Sequence, residues 1–166
     1  MRFAPAGMVN AGQNIYEAAI PNFNHDIGRR DGWIEPLNLW KRQMAMNEVA
    51  ALIANVAARQ ENWDGYGSAE PNENAVMRSV GVISSFYTEA IQRRTGWITP
   101  FVGLNERGDV VFEWWNDHKK LSLYVGPDTT DYVSSWGLDI EEQMDAGAAD
   151  SSRFGDFWTW LTTKSA

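Results

Sequence analysis

The sequence contains no cysteine and only two histidines, His25 and His118. Without cysteine the chain cannot form a disulfide framework, a thiolate nucleophile or a cysteine-ligated zinc or iron–sulfur site. It also lacks an H-E-x-x-H motif, a G-x-S-x-G motif, a P-loop and a dinucleotide-binding glycine-rich turn. We therefore predict a protein without a bound cofactor or metal ion, in which metal-hydrolase and hydride-transfer chemistry are not expected.

Long hydrophobic runs are also absent. Nowhere do eighteen apolar residues follow one another, as a membrane-spanning helix would require. The first residues, Met-Arg-Phe-Ala-Pro-Ala-Gly, have no apolar run of signal-peptide length. We expect a soluble protein that does not contact membranes and is not exported, and a cytoplasmic location agrees with the lack of cysteine.

Basic residues are scarce, because 14 Lys and Arg stand against 22 Asp and Glu, a net charge of −8. Residues 126–156 hold eight carboxylates and a single basic residue, Arg153. Nucleic-acid binding needs Lys and Arg on phosphates, so the composition predicts no direct nucleic-acid contact and favours a basic protein partner, for example in a nucleic-acid-binding complex. The alternative is a solvated, solubilising surface. The eight carboxylates are Asp128, Asp131, Asp139, Glu141, Glu142, Asp145, Asp150 and Asp156.

The chain of 166 residues is long enough for one domain with a sizeable core. Residues 1–40 have no sustained period and many Gly, Pro and Asn residues, which predicts an irregular N-terminal arm. Their apolar side chains predict that parts of this arm dock on the body or on another subunit. Residues 41–166 are predicted to form a single α+β domain.

Two long helices are predicted from apolar residues at helical spacing. Residues 42–60 form the first, and residues 73–94 form the second, which begins after Pro71 and Asn72 and ends before a left-handed cap at Gly96. Asp150 or Ser151 is expected to cap a short C-terminal helix. Its apolar stripe consists of Phe154, Phe157, Trp158 and Leu161.

Beyond Gly96 the spacing of apolar residues changes from the helical period of 3.6 residues to the strand period of 2 residues. Residues 97–104, 109–115, 120–125 and 131–136 predict a four-stranded antiparallel meander with turns of hairpin length. An acidic connection is expected at 137–150, with a helical turn near 140–144. One face of the sheet would carry the core residues Ile98, Val102, Leu104, Val110, Phe112, Trp114, Leu121, Leu123 and Val125. The other would carry Val111, Glu113, Trp115, Ser122 and Tyr124.

Residues 61–68, Glu-Asn-Trp-Asp-Gly-Tyr-Gly-Ser, lie between the two predicted helices and are typical of a tight corner. Gly65 and Gly67 can adopt positive φ, and Asp64 can accept a hydrogen bond from the backbone two residues on. Trp63 and Tyr66 are expected to fold inward against the core.

The Trp-Asp-Gly-Tyr-Gly-Ser segment, the helix after it and the strand Val-Phe-Glu-Trp at 111–114 resemble a family of small bacterial proteins. Members carry a W-D-G-Y-G-A-like motif and an aromatic-rich hairpin with a Glu-Trp pair, and Ser68 replaces the alanine here. The resemblance covers residues 45–136. It implies an accessory protein of bacterial mobile elements or of defence and toxin loci, and it supplies no catalytic residues.

Two groups of carboxylates are candidate catalytic sites. Asp64, Glu70 and Glu73 lie along the corner, where a glycosidase-like pair or a magnesium site is conceivable. However, the position of Asp64 before a glycine is explained by the turn. The two glutamates precede or begin a helix, where the helix dipole favours negative charge. Glu113, Asp117 and His118 form the second group, and a solvated hairpin accounts for them.

Nine tryptophans exceed what one small core usually needs, and alternation places Trp114 and Trp115 on opposite faces. Because Trp and Tyr anchor interfaces, this pattern predicts an aromatic surface for a partner. The alternative is that a helix or the N-terminal arm covers both faces of the sheet. The predicted partner-binding residues are Trp115, Tyr124, Trp136, Asp139, Glu141, Glu142 and Asp145.

Three functions are compatible with these observations. The first is a non-enzymatic, acidic interaction protein of a phage or mobile element that inhibits or neutralises a basic nucleic-acid-handling protein, as an anti-CRISPR protein or an antitoxin does. The second is a structural subunit that forms homo-oligomers through its N-terminal arm. The third is an enzyme of unrecognised type that uses Asp64, Glu70 or Glu113.

Overall fold

The computed structural model describes residues 34–137, 139 and 142–163. The chain divides into residues 1–39 and 40–166, and the sheet and core described below belong to the second of these units. Most of the predicted N-terminal arm lies outside the described residues, as does Glu141.

Helix α1 (Ile34–Ala57) begins well before the predicted start near residue 42. The prediction of an irregular segment is therefore wrong for residues 34–40. Pro36 does not interrupt the helix because it lies in the first turn, where backbone N–H groups have no partner within the helix. Of this helix, Val49, Ile53 and Val56 are buried in the core.

Helix α2 (Glu73–Gln92) confirms the second predicted helix. Asn72 caps its N-terminus by accepting a hydrogen bond from the N–H of Ala75 at 3.1 Å. Its end differs from the prediction, because Arg94, and not Gly96, adopts positive φ (56°). None of the described helices combines the length and the apolar composition that a membrane crossing would need.

In the described residues the sheet has five antiparallel strands, so the prediction of four is wrong. The additional strand forms from residues that were predicted to be a connection with a helical turn. The strands are β1 (Phe101–Leu104), β2 (Val110–Asn116), β3 (Lys119–Val125), β4 (Thr130–Ser135) and β5 (Met144–Ala148), and they are arranged in chain order. A 3₁₀ turn (Ser151–Arg153) leads into helix α3 (Phe154–Thr162), which confirms the short C-terminal helix.

The core lies between the helices and one face of the sheet. Trp114 of β2 stacks on Phe86 of α2 with ring centroids 4.7 Å apart, and Trp158 of α3 meets Phe86 edge-on at 5.7 Å. The Trp114 indole N–H donates to the carbonyl of Ile98 at 2.9 Å. The predicted core side chains of the strands are all buried; Ile98 precedes β1 and is half-buried.

Candidate functional site

The face of the sheet opposite the helices is called here the outer face. Strand pairing identifies its members, because residues paired across antiparallel strands project to the same side. Three rows of paired residues cross this face from strand to strand. The first row is Trp115, Lys120, Ser135 and Met144, and the second is Phe101, Glu113, Ser122, Val133 and Ala146. The third row is Gly103, Val111, Tyr124, Asp131 and Ala148.

Within the described residues, no helix covers this face. The side chains that α1, α2 and α3 contribute to the core cluster all pack with the opposite side of the sheet. Phe101, Trp115 and Met144 are 59%, 52% and 40% exposed. Val111 and Ser122 lie on the face opposite the core, as predicted, and both are buried. The outer face thus exposes two aromatic rings and a methionine, and apolar groups exposed together are typical of interaction sites.

Neighbouring side chains fix the position of Trp115. Its ring lies edge-on to Phe101 at 6.4 Å between centroids, and the ammonium of Lys120 lies 5.0 Å from its centroid. Lys120 also contacts Glu113 at 2.6 Å, and the Ser122 hydroxyl donates to the same carboxylate at 3.0 Å. The charge of Glu113 is therefore compensated, and Trp115 is contacted on two sides by Phe101 and Lys120.

Tyr124 lies at one end of the outer face, beside the turn between β1 and β2. A cleft of about 440 Å³ opens there, lined by Tyr124, Asp131, Asn105, Glu106 and Arg107. Arg107 forms an ion pair with Asp109 at 3.0 Å. Glu106 and Asp131 therefore make this end of the face acidic.

The structure separates two of the predicted binding residues, Trp136 and Asp145, from Trp115. Trp136 contacts Trp160 of α3, with centroids 6.2 Å apart. Asp145 pairs with Ser134 on the helix side and accepts a hydrogen bond from the Tyr132 hydroxyl at 2.6 Å. Asp139 and Glu142 lie in the exposed connection between β4 and β5. The predicted residues therefore do not form one continuous patch.

The remaining carboxylates are also dispersed. Asp156 forms an exposed ion pair with Arg93 at 3.3 Å. Asp128 and Asp150 line a cleft of about 520 Å³ on the helix side, together with Arg78. Hydrogen bonds from the Ser152 hydroxyl and N–H hold the pKa of Asp150 below its ordinary value. Acidic groups consequently surround the sheet on several sides.

The corner at residues 61–68 has the backbone geometry predicted for Gly65, Gly67 and Asp64. Gly65 and Gly67 adopt φ of 79° and 87°. Asp64 accepts hydrogen bonds from the Ser68 hydroxyl at 2.6 Å and the Tyr66 N–H at 2.9 Å, which lower its pKa. Trp63 packs against the core, but Tyr66 is 94% exposed, so the prediction that it folds inward is wrong.

Phe101 and Met144 on the outer face were not among the predicted binding residues. Phe101 precedes the core residue Val102, so alternation along the strand predicts that it lies on the outer face, as it does for Trp115 beside Trp114. The position of Met144 could not be predicted, because its strand was not predicted.

No family model, no curated protein and no solved structure matches this chain.

Proposed function

We propose that this chain is a non-enzymatic, acidic interaction protein that binds a basic, nucleic-acid-handling protein through the outer face. The observation that carries this proposal is the exposure of Phe101, Trp115 and Met144 on a sheet face that no described helix covers. Aromatic and methionine side chains are enriched at the centres of protein interfaces. Trp115 is the expected anchor because its contacts already restrict its motion.

The charge distribution supports a basic partner. The chain has a net charge of −8, and Asp131 and Glu106 border the outer face at the Tyr124 cleft. Complementary charge accelerates encounter, and burial of aromatic area slows dissociation. We further propose that binding inhibits or neutralises the partner, as an anti-CRISPR protein or an antitoxin does. This part of the proposal is based on the sequence resemblance.

The hydrogen bonding of two candidate catalytic carboxylates supports a binding function over an enzymatic one. Asp64 is engaged by Ser68 and Tyr66 within the corner, and Glu113 by Lys120 and Ser122. These partners account for both carboxylates without a substrate. Glu70 is exposed, with a backbone carbonyl close to Gly108.

Affinity capture from a bacterial lysate tests the proposal. Wild-type protein, Trp115→Ser and Tyr66→Ser are immobilised and compared at about 50 and about 300 mM salt, where screening differs strongly. Tyr66→Ser is the matched control, because it removes an exposed aromatic ring that belongs to the corner and not to the outer face. We expect a basic protein that wild type and Tyr66→Ser retain at low salt and Trp115→Ser loses. Equal capture by wild type and both variants would contradict the proposed binding surface.

A structural, self-associating subunit is the second candidate function. Trp40 and Met44 of α1 are 60% and 53% exposed and lie four residues apart, on one side of the helix. Light scattering of wild type and Trp40→Ser across a range of concentrations distinguishes the two functions. A mass that doubles with concentration in wild type alone would favour self-association.

A further inference from the structure

The outer edge of β5 has backbone groups available for another strand. Among the strands in the described part of the chain, β5 is last in the order and pairs only with β4. The N–H of Ala149 donates to Thr130 at 2.8 Å, and the N–H of Trp136 donates to Gln143 at 3.0 Å. Since hydrogen-bonded pairs alternate along an antiparallel ladder, the N–H and C=O groups of Asp145 and Gly147 point toward β4. Those of Met144, Ala146 and Ala148 point away from the sheet.

β5 has one of the features that protect exposed edges, the charged side chain of Asp145. Such edges are usually protected by charged side chains, especially Lys, by Pro, by a bulge or by very short length. The sequence Met-Asp-Ala-Gly-Ala has no Lys and no Pro, and its five residues pair with β4 without a bulge. All five are exposed. The opposite edge differs, because β1 has only four residues and follows directly after Pro100.

The charge around β5 specifies the chemistry of the incoming strand. Residues 137–152 contain five carboxylates and no Lys or Arg. Glu142, Asp145 and Asp150 are exposed within or beside the strand. The following basic residue, Arg153, stacks on the rings of Tyr132 and Phe157 at 4.5 and 4.8 Å. An extended segment with Lys or Arg side chains would therefore be attracted, and an acidic segment repelled.

We propose that β5 accepts an extended basic segment of the partner protein as a sixth strand of the sheet. Backbone hydrogen bonds to Met144, Ala146 and Ala148 would hold the segment, as in other cases of strand addition. Its side chains on one side would extend the outer face beyond Met144, and those on the other side would approach Asp145. This inference rests on the proposed function, because it names how the same basic partner is recognised.

The test uses a synthetic peptide of alternating Lys and Val, six residues long and blocked at both ends. The control peptide has the same sequence with N-methyl groups on all of its backbone nitrogens, which keeps the side-chain charges and removes every backbone N–H donor. Binding is measured by NMR on ¹⁵N-labelled full-length protein. We expect slowed amide exchange at Met144, Ala146 and Ala148 with the first peptide, little change at Asp145 and Gly147, and binding at least about tenfold weaker for the methylated peptide.

Ala146→Pro removes one outward N–H, and Ala146→Val keeps it as the matched control. Proline is tolerated at an edge position whose N–H faces solvent, so both variants should fold. The proline variant should bind the peptide about tenfold more weakly, and the valine variant within about twofold of wild type. Equal loss in both variants, equal binding of the methylated peptide, or a doubled mass showing that a second copy occupies the edge would overturn the inference.

The outcome also separates this inference from the proposed function. If Trp115→Ser abolishes capture of a basic protein and Ala146→Pro does not, the outer face binds the partner and strand addition is wrong. If neither variant changes capture, the proposed function itself fails.

Discussion

Gly108 shows how one residue joins two distant parts of the chain. It adopts φ of 80°, and a Cβ atom at this position would lie 2.1 Å from the carbonyl oxygen of Glu70. Its own carbonyl accepts the N–H of Asn72 at 2.9 Å, and the carbonyl of Glu106 accepts the N–H of Ala69 at 2.9 Å. The segment directly after the corner is thus hydrogen-bonded to the turn between β1 and β2.

Gly108→Ala should therefore destabilise the protein by at least about 2 kcal/mol, because strain and a backbone clash combine. Gly81→Ala is the matched control. Gly81 lies within α2 with no atom near its missing Cβ, so alanine should stabilise by up to about 1 kcal/mol. Urea unfolding measures both effects. Similar unfolding free energies for the two variants would refute the close approach at Gly108.

Asp64 should make the stability of the corner depend on pH. Because the Ser68 and Tyr66 hydrogen bonds lower its pKa in the folded state, its contribution is fully present above the unfolded value of about 3.9. It is lost as the pH falls through the lower folded value. The gap in unfolding free energy between wild type and Asp64→Ala should hence shrink below about pH 4. A gap of constant size between pH 7 and pH 2.5 would contradict this role.

At the scale of elements, the two adjacent tryptophans of β2 have opposite environments. Trp114 is 1% exposed and Trp115 is 52% exposed. Trp114→Ala should destabilise by about 3–5 kcal/mol, as large-to-small core substitutions of aromatics do. Trp115→Ala should cost less than about 1 kcal/mol, chiefly the contact with Lys120. Thermal and urea unfolding of the pair provide the comparison, and equal losses would mean that something covers the outer face.

The sequence predicted the helices and strands in which large apolar side chains recur at regular spacing. In α2, α3 and the first four strands, the buried face consists largely of Phe, Trp, Leu and Val, so the spacing of these residues identifies it. β5 was missed because Asp, Ala and Gly have low strand propensity, and pairing with β4 overrides that preference. β1 is shorter than predicted because Pro100 has no N–H to donate to the ladder.

The candidate site was predictable only in part. Alternation placed Trp115 and Tyr124 on a face opposite the core, and the structure confirms that placement. Sequence proximity suggested that Trp136 and Asp145 join them, but the register of β4 and β5 directs Asp145 to the other side. Such a distinction depends on a strand that the sequence did not reveal.

At the scale of the whole molecule, charge and apolar surface have separate roles in the proposed binding. The carboxylates lie on several sides of the sheet, so they act on a basic partner at a distance, and the outer face acts on contact. Neutralising the acidic segment and truncating the aromatic anchor should consequently affect different rate constants.

The most direct measurement is the association and dissociation of a captured basic partner by surface interferometry, from about 50 to about 300 mM salt. Replacing Asp139, Glu141, Glu142 and Asp145 with Asn or Gln should slow association and flatten its dependence on salt. Trp115→Ala should mainly accelerate dissociation. If the neutralised variant associates at the wild-type rate throughout this range and Trp115→Ala dissociates no faster than wild type, neither the charge nor the outer face binds the partner.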